Sequence, residues 1–397
     1  MTNTSRDGEA LRARRAELAR QFDGVGSASE LFEFQRAVAD EIRSAEPVAF
    51  RDRASPEREH LKLMRLFGDT IAHATLHTHT IQQLSKHPGK PPPLSHGVGF
   101  NFVLKCAALV ADAGYPVRIC DVTNVLKTAD LVIGNPETPS LIECASDGGP
   151  TEPKGRKARQ LARMEAVRDI LMTGEGFVPG TLAPVKVLNT SVRAEHNWDL
   201  VENAARQAQA EGVGVFGTDG EIVCAVRSDS RQELELWLSE EAHRLTADFH
   251  EPLCALVSSR LDDPLPTVPP PLGYPIPLDL RLCLLERDIR LIHVIDVAAF
   301  LEIEHDGVRV TELLRDRHGN LMQPPFVFES ANGVVGACSS RFLDEVLFGF
   351  VTIESSAKTM LSGVDEFYEA EGVGHEGHVP TELEDLILEL KKRVLRT

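Results

Sequence analysis

Apolar residues recur at helical spacing in the N-terminal quarter of the chain and in short, strand-like runs further on. Leu63, Leu66, Phe67 and Ile71 form an apolar stripe with the three- and four-residue spacing of an amphipathic helix. Acids after Thr381 and bases near the C-terminus are typical of helix ends, because they complement the helix dipole. The periodicity predicts helices over 6–23, 28–44, 58–86 and 381–397.

The middle of the chain has a different pattern. An apolar helix is predicted from Gly99 to Asp112, where Gly114-Tyr115-Pro116 ends it. Two of the apolar runs that follow are separated by about five turn residues, which predicts a hairpin. This succession predicts an α/β fold with a mixed sheet flanked by helices. The strands are predicted at 117–123, 129–134, 140–146, 184–190, 212–217 and 221–226, and the helices at about 153–172 and 197–209.

Proline marks the predicted domain boundaries. The sequence PGKPPP occupies 88–93, and seven prolines fall within the fourteen residues 264–277. That density excludes a regular helix or a central strand and favours a stiff linker or a surface crossing. We therefore predict three regions: a helical region at 1–90, the α/β domain at 91–245, and a smaller α+β domain at 246–397 with the proline-rich linker at 264–277.

Composition narrows the class of protein. Of 397 residues, 42% are hydrophobic and 26% are charged, which is enough to build cores and argues against wholesale disorder. No apolar run is long enough for a membrane span, and the N-terminus lacks the apolar stretch of a secretory signal. Seven cysteines without a CxxC pair favour reduced thiols. We expect a soluble, cytoplasmic protein that makes no membrane contact.

The net charge of −18 does not attract nucleic acid at long range. Binding to DNA would therefore require a local concentration of basic residues. The most basic stretch is 154–163, KGRKARQLAR, which contains no acid.

Two carboxylates can converge at one edge of the predicted hairpin. Asp130 begins one strand and Glu143 lies on the next. Together with the backbone carbonyl of Cys144 they would form an oxygen-lined site suited to Mg²⁺. The alternative is that each acid is an ordinary, solvated strand-end residue.

Several short motifs around this hairpin are similar to those of one nuclease superfamily. Residues 96–227 resemble the restriction-endonuclease-like PD-(D/E)xK nucleases, and most closely their Mrr-like branch. The resemblance implies hydrolysis of DNA phosphodiesters with Mg²⁺ or Mn²⁺ held by Asp130 and Glu143. The matching segments are Gly97–Phe102 with the helix end Ala113–Val117, Ala129–Ile133, Leu141–Ala145, Lys157–Leu161, Val185–Thr190 and Gly212–Phe216.

The chain departs from the family pattern at two positions. Asn101 replaces a glutamate that is frequent on the first helix, and Ala145 stands where the family has lysine. Side chains two apart on a strand share a face, so a lysine there would lie beside the metal that Glu143 holds. Either activity is lost, or another cation substitutes.

The basic stretch offers substitutes. Lysine migration onto the following helix is tolerated in the superfamily, so the resemblance implies that Lys154 or Lys157 supplies the missing ammonium. Gln160 could position the attacking water or touch DNA. Phosphate contacts are predicted for Arg156, Arg159 and Arg163. The alternative is that this is a solvated helix face.

Other candidate residues are assigned ordinary structural roles. His73 and His77 have the i, i+4 spacing of metal ligands on a helix and lie near His79, but no glutamate or cysteine completes a motif. The pair His375 and His378 belongs to a glycine-rich turn. Cys338 is expected to be a buried thiol, because no histidine partner can be assigned to it.

The function predicted from these features is Mg²⁺-dependent endonucleolytic cleavage of DNA in restriction or phage defence. The protein could form a homo-oligomer or work with a defence-system partner subunit. The alternative is a catalytically inactive nuclease-fold protein that binds DNA or partner subunits, which Ala145 favours. A third possibility is that the strands pair differently and the resemblance is accidental.

Overall fold

The structure is a computed structural model, and the chain forms two compact units. One comprises Met1–Val187 and Ser258–Asp288, the other Leu188–Val257 and Ile289–Thr397. The division into three regions that the proline content predicts remains a prediction. The structure describes residues 7–86, 91–95, 98–144, 156–176, 185–186, 192–228, 244, 246–316, 318–331, 335–338 and 341–370.

The fold is α/β, with a helical N-terminal region followed by several small antiparallel sheets and further helices. The helices in the described ranges are α1 (Gly8–Asp23), α2 (Ala28–Arg51), α3 (Pro56–Thr75), α4 (Thr78–Ser85), α5 (Val98–Asp112), α6 (Arg156–Thr173), α7 (Trp198–Glu211), α8 (Leu278–Leu285), α9 (Arg341–Gly349) and α10 (Ile353–Ala370). The strands are β1 (Val117–Ile119), β2 (Leu131–Ile133), β3 (Ser140–Ile142), β4 (Glu175–Gly176), β5 (Val185–Lys186), β6 (Val213–Thr218), β7 (Glu221–Arg227), β8 (Pro252–Leu256), β9 (Ile289–Asp296), β10 (Glu304–His305), β11 (Val308–Arg315), β12 (Leu321–Ser330) and β13 (Val335–Cys338).

Local capping and apolar stripes explain the first helices. Ser27 caps α2 by accepting a hydrogen bond from the Glu30 backbone N–H, and Glu30 in turn accepts one from the Gly26 N–H. Ile42 of α2 and Phe67 of α3 are fully buried in one core. Burying such a side chain stabilises the fold by about 1.5–3 kcal/mol. The predicted helices at 6–23 and 28–44 are confirmed as α1 and α2.

The single helix predicted over 58–86 is wrong in one respect, because α3 and α4 are separate helices. The chain turns at Leu76, which is buried in an extended conformation. The His77 backbone N–H donates to the Pro136 carbonyl at 3.1 Å instead of continuing the helix. At His77, a hydrogen bond to a distant loop therefore takes the place of the hydrogen bond that would continue the helix.

The predicted hairpin is confirmed. In the sheet β1-β2-β3 both pairings are antiparallel, with Leu131 opposite Ile142 and Ile119 opposite Leu131. Gln35 of α2 covers the outer edge of β1: its side-chain amide donates to the Val117 carbonyl and its Oε1 accepts from the Ile119 N–H, both at 2.7 Å. An edge strand covered in this way has no free backbone groups for further pairing there.

The strand predicted at 117–123 is shorter than expected. Only β1 is extended, and Cys120–Val122 forms a 3₁₀ turn. The cause lies in α3, where Gly68 lies so close that a Cβ atom would overlap the Val122 carbonyl oxygen and come within 2.7 Å of its carbon. The turn therefore rests directly on a helix backbone.

The predicted mixed sheet is not found among the described strands, because every pairing between them is antiparallel. The runs at 212–217 and 221–226 do form strands, β6 and β7, but β7 pairs with β9 in the second unit. The register between β7 and β9 extends from Glu221 opposite Ile295 to Arg227 opposite Ile289. The sheet order there is β6-β7-β9-β8, and β10 to β13 form another four-stranded sheet.

The proline-rich segment 264–277 belongs to the first compact unit. It contains no regular helix or strand beyond a 3₁₀ turn at Pro271–Gly273, as its composition predicts. Several of its apolar side chains are nevertheless buried, namely Val268, Leu272, Tyr274 and Ile276. The segment therefore packs as part of this unit, because large apolar side chains lie between its prolines.

The helices predicted at 99–112, 153–172 and 197–209 are confirmed as α5, α6 and α7. The predicted C-terminal helix at 381–397 lies outside the described residues. No helix in the described ranges is long and apolar enough to cross a membrane.

We predict that Gly68→Ala destabilises the first unit by roughly 2–3 kcal/mol, because the new methyl group overlaps the Val122 carbonyl and forces α3 and the turn apart. Chemical denaturation monitored by circular dichroism measures the change in the free energy of unfolding. Gly99→Ala is the matched control, since Gly99 is also helical and a Cβ there meets nothing within 4 Å. Equal midpoints for both variants would show that the close approach is absent.

Candidate acidic site

Asp130 and Glu143 flank the hairpin at the same end. Asp130 directly precedes β2, and Glu143 directly follows β3. Because Leu131 lies opposite Ile142, the two acids are the next residues beyond the paired strands. The structure therefore brings the two predicted metal ligands to one end of adjacent strands. Their role as ligands remains a prediction.

Asp130 is held by backbone hydrogen bonds on both sides. Its carbonyl accepts from the Cys120 N–H at 3.0 Å, in register with the β1-β2 pairing. Its own N–H donates to the Ile142 carbonyl at 3.1 Å, which is one residue out of the β2-β3 register. The pairing thus becomes irregular where the acids lie, and the regular ladder of β2 and β3 ends there.

The Asp130 carboxylate has a specific anchor. Its Oδ2 accepts a hydrogen bond from the Cys144 backbone N–H at 2.7 Å. Burial raises the pKa of Asp130, and this hydrogen bond lowers it by a smaller amount. The carboxylate is therefore partly desolvated and fixed to the residue that follows Glu143.

A third acid, Asp121, lies beside this pair and was missed by the sequence analysis. It belongs to the 3₁₀ turn after β1, and the pKa of its carboxyl is raised to about 6 by burial and by the nearby Asp130, with Arg65 acting in the opposite direction. The register could have revealed it: Cys120 lies opposite Asp130, so Asp121, the next residue of the chain, lies at the same end of the sheet. The sequence interpretation placed Asp121 within a longer strand and therefore did not identify it as a neighbour of the two acids.

Buried ionic and polar contacts hold the turn that carries Asp121. Arg65 of α3 donates to the Asp121 carbonyl and to the Pro92 carbonyl, and it pairs with Glu46 at 3.3 Å. Asp69, one turn further along α3, accepts the Asn124 backbone N–H at 2.6 Å. Burial raises the pKa of Asp69 to about 6. Arg65 and Asp69 of α3 therefore hold the loop after β1 at two points, Asp121 and Asn124.

Two thiols line the same region. Burial raises the pKa of the Cys120 thiol well above its ordinary value, and the nearby Asp121, Asp130 and Glu143 add to the effect. Burial also raises the pKa of Cys144 to about 12. The Cys106 thiol of α5 adds to this increase in the pKa of Cys144. The acids and the thiols therefore share one partly desolvated environment.

Helix α6 lies against the hairpin. Leu161, Met164 and Val167 pack in one cluster with Val132 of β2 and Leu141 of β3. The apolar side of α6 is therefore packed against the hairpin. Its first residue is Arg156, and Arg163 is partly buried.

Several predicted residues fall outside the described part of the chain. Lys154 and Ala145 lie there entirely. The structure describes the backbone but not the side chains of Arg156, Lys157, Arg159 and Gln160. Asn101 is exposed on α5.

The histidine candidates do not share a helix face, which corrects the sequence interpretation. Helix α3 ends at Thr75, so His77 lies beyond it. His77 and His79 instead face each other, with their Nδ1 atoms 2.6 Å apart, and burial lowers the pKa of His73 to about 4. Within the described residues, no three or more His, Cys, Asp or Glu side chains are grouped to hold a metal ion. His375 and His378 lie outside those residues, and burial raises the pKa of Cys338 to about 12.

Comparisons with known proteins add no family assignment. No protein-family model, no curated protein and no solved structure matches this chain.

We predict that Asp121→Asn stabilises the protein at pH 8 by about 1–2 kcal/mol and has little effect at pH 4, since one pKa unit corresponds to about 1.4 kcal/mol and the side chain is partly solvated. A raised carboxyl pKa means that the folded state binds more protons than the unfolded chain between about pH 4 and pH 6. The stability that protonated Asp121 contributes is complete below that window and is lost as the pH rises through it.

Urea denaturation at the two pH values measures this difference. Asp112→Asn, at the exposed end of α5, is the control for a general change in net charge. If Asp121→Asn had the same effect at both pH values, the burial of its carboxylate would be contradicted.

Proposed function

We propose that the protein is a metal-dependent endonuclease that hydrolyses DNA phosphodiesters. The observation that carries the proposal is the placement of Asp130 and Glu143 at one end of adjacent strands, with the Asp130 carboxylate anchored by the Cys144 N–H at 2.7 Å. The element order α5-β1-β2-β3-α6, with α6 packed on the hairpin, supports a restriction-endonuclease-like arrangement at the level of this segment. The purely antiparallel pairing differs from the mixed sheet expected of that fold.

The donor set suits a hard divalent cation. Asp130 offers the oxygen that does not accept from Cys144, and Glu143 and the Cys144 carbonyl complete the predicted ligands. Mg²⁺ commonly binds through one or two carboxylates while waters and substrate phosphates fill the other positions. Hence a site with fewer than three side-chain ligands fits Mg²⁺ or Mn²⁺ better than it fits Zn²⁺. When bound, the cation would polarise the phosphodiester and favour ionisation of the attacking water.

The protein residues have separate tasks in this proposal. Asp130 and Glu143 bind the cation, and the Cys144 N–H orients the Asp130 carboxylate. Asp121 adds negative charge beside Asp130, which makes the site more attractive to a cation. A nearby ammonium group would stabilise the charge that develops on the phosphate in the transition state.

The start of α6 would supply both that ammonium and the DNA contacts. Lys154 and Lys157 are proposed to stand in for the lysine that Ala145 replaces, and Gln160 to orient water. The arginines proposed to contact phosphates are Arg156, Arg159 and Arg163. The packing of α6 against β2 and β3 supports this, because it holds the helix beside the hairpin that carries the two acids. We place the activity in cytoplasmic restriction or phage defence, as a homo-oligomer or with a partner subunit.

The second candidate function is a nuclease-fold protein that binds DNA or partner subunits without cleaving. Ala145 favours it, because alanine cannot stabilise the phosphorane charge. Both functions predict salt-sensitive DNA binding through the basic stretch. They differ in whether a cation and an ammonium group act on a scissile phosphate.

We expect plasmid cleavage with Mg²⁺ or Mn²⁺ to be abolished in Asp130→Ala and in Glu143→Ala, because each variant removes a predicted ligand. Both acids lie beyond the paired residues of the hairpin, so their removal should leave the sheet in place and the circular dichroism spectra unchanged. Glu137→Ala is the matched control, since Glu137 is an exposed acid in the turn of the same hairpin. Equal cleavage by all four proteins would point to a contaminating nuclease and reject the site.

The lysines separate the two candidate functions. Loss of a transition-state cation should reduce the cleavage rate of Lys154→Ala or Lys157→Ala by about 10²–10³-fold. Loss of a phosphate contact should instead weaken binding and reduce its salt dependence. Rates and salt-dependent binding are measured in parallel, with Arg168→Ala, further along α6, as control. If only Ala145→Lys creates cleavage, the native protein is a binder and the enzymatic proposal is wrong.

A further inference from the structure

A fully buried histidine lies where several helices of the first unit meet. His60 of α3 is 0% exposed. Its Nε2 lies 3.2 Å from Oε2 of Glu41 on α2, and its Nδ1 lies 3.2 Å from Nη1 of Arg15 on α1. Arg15 also pairs with Glu286, the residue that directly follows α8. One imidazole ring therefore connects α3 to α2 and α1 and, through Arg15, to the end of α8.

The arginine fixes the position of the proton on this ring. A guanidinium group only donates hydrogen bonds, so the Nδ1 of His60 that faces it carries a lone pair. The ring proton then lies on Nε2, which donates to Glu41. Arg15 is held in place, because its Nε and Nη2 donate to the two carboxylate oxygens of Glu286 at 2.5 Å each. The folded structure therefore contains His60 in its neutral form.

The elements packed around the ring carry two guanidinium groups and three carboxylates. They are Arg14 and Arg15 of α1, Glu41 of α2, the buried Glu57 one turn earlier on α3, and Glu286 after α8. Arg14 donates to Oε1 of Glu41 at 2.9 Å, and Arg15 binds both oxygens of Glu286. An arginine therefore already offsets the charge of each of these two acids, and a second proton on the ring would directly face the Arg15 guanidinium.

We propose that His60 is a pH-sensitive switch, which holds α1 in place at neutral pH and releases it when the ring takes up a second proton. Protonation removes the lone pair to which Arg15 donates and leaves two positive groups in contact in a buried site. Of the sixteen residues of α1, the buried apolar ones are Leu11, Leu18 and Ala19. The arginine contacts therefore provide much of its anchoring. This inference is independent of the proposed nuclease activity, because none of these residues belongs to the acidic site.

The direction of the effect follows from proton uptake. When α1 is released, the ring is in water, where a histidine takes up a proton below about pH 6.5, whereas the closed state binds none there. The stability that the neutral ring contributes is therefore complete above about pH 7 and is lost as the pH falls. From about pH 7.5 to pH 5.5 the equilibrium constant for opening should rise about tenfold. The raised pKa values of Asp69 and Asp121 act in the opposite direction, since their protonation stabilises the folded state.

Hydrogen exchange of the full chain, followed by mass spectrometry and corrected for the intrinsic exchange rate, measures the opening of α1. We expect the protection of the α1 amides to be about tenfold lower at pH 5.5 than at pH 7.5 in the wild type. In His60→Gln it should be equal at the two pH values, because the glutamine amide donates to Glu41 but takes up no proton. His60→Asn replaces this variant if it does not fold.

The matched control is His73→Gln, which should keep the pH dependence of the wild type. His73 lies near the other end of α3, and burial lowers its pKa to about 4. A second measurement is the tautomer of His60 at pH 7.5, read from the ring ¹⁵N chemical shifts after its signals are assigned by their loss in His60→Gln. We expect a proton on Nε2 and none on Nδ1. A wild type whose α1 protection is the same at both pH values, a dependence that His60→Gln retains, or a proton on Nδ1 at pH 7.5 overturns the proposal.

Discussion

The buried pair of Arg65 and Glu46 is the contact on which the acidic region depends. Their side chains are 8% and 1% exposed, so both charges have left water at considerable cost. Further hydrogen bonds offset that cost: Glu46 accepts the backbone N–H groups of Leu94 and Ser95, and Arg65 donates to the Asp121 carbonyl. A single ion pair thereby joins α2, α3, the segment 91–95 and the turn after β1. Without it, the turn that places Asp121 beside Asp130 would lose the hydrogen bond to its own backbone, and Asp69 would hold only the residues that follow the turn.

In this region, the buried arginine Arg65 lies among several partly or fully buried carboxylates. Burial raises the pKa values of Asp69, Asp121 and Asp130, whereas Arg65 lowers those of Asp69 and Asp121. Desolvation is the largest influence in all three cases, so one buried guanidinium does not fully offset the carboxylates around it. Ionised acids that are clustered and short of cations destabilise the folded state, and an added cation would relieve that strain. This excess of carboxylates therefore destabilises the folded state at neutral pH, and it also makes the region a candidate cation site.

Local features were predictable from the sequence, whereas long-range pairing was not. The helices α1, α2, α5 and α6 and the hairpin β2-β3 follow from periodicity, capping residues and turn composition, which act within a few residues. The place of β6 and β7 depends on β9, more than sixty residues away, and apolar alternation carries no information about that partner. Likewise, the end of β1 at Ile119 depends on Gly68, whose importance appears only when α3 lies against the turn. The pair Asp130 and Glu143 was found because a hairpin is local, and Asp121 was missed because its position requires the correct end of β1.

The backbone N–H of Cys144 is the contact that opposes the effect of burial at Asp130. It donates to the Asp130 carboxylate at 2.7 Å, and it lowers a pKa that burial raises. A hydrogen bond to a charged group contributes about 1.5–3 kcal/mol. Its loss would leave burial unopposed and make the carboxylate harder to ionise. The charge that the proposed cation requires therefore depends on where the chain places one backbone amide, directly after Glu143.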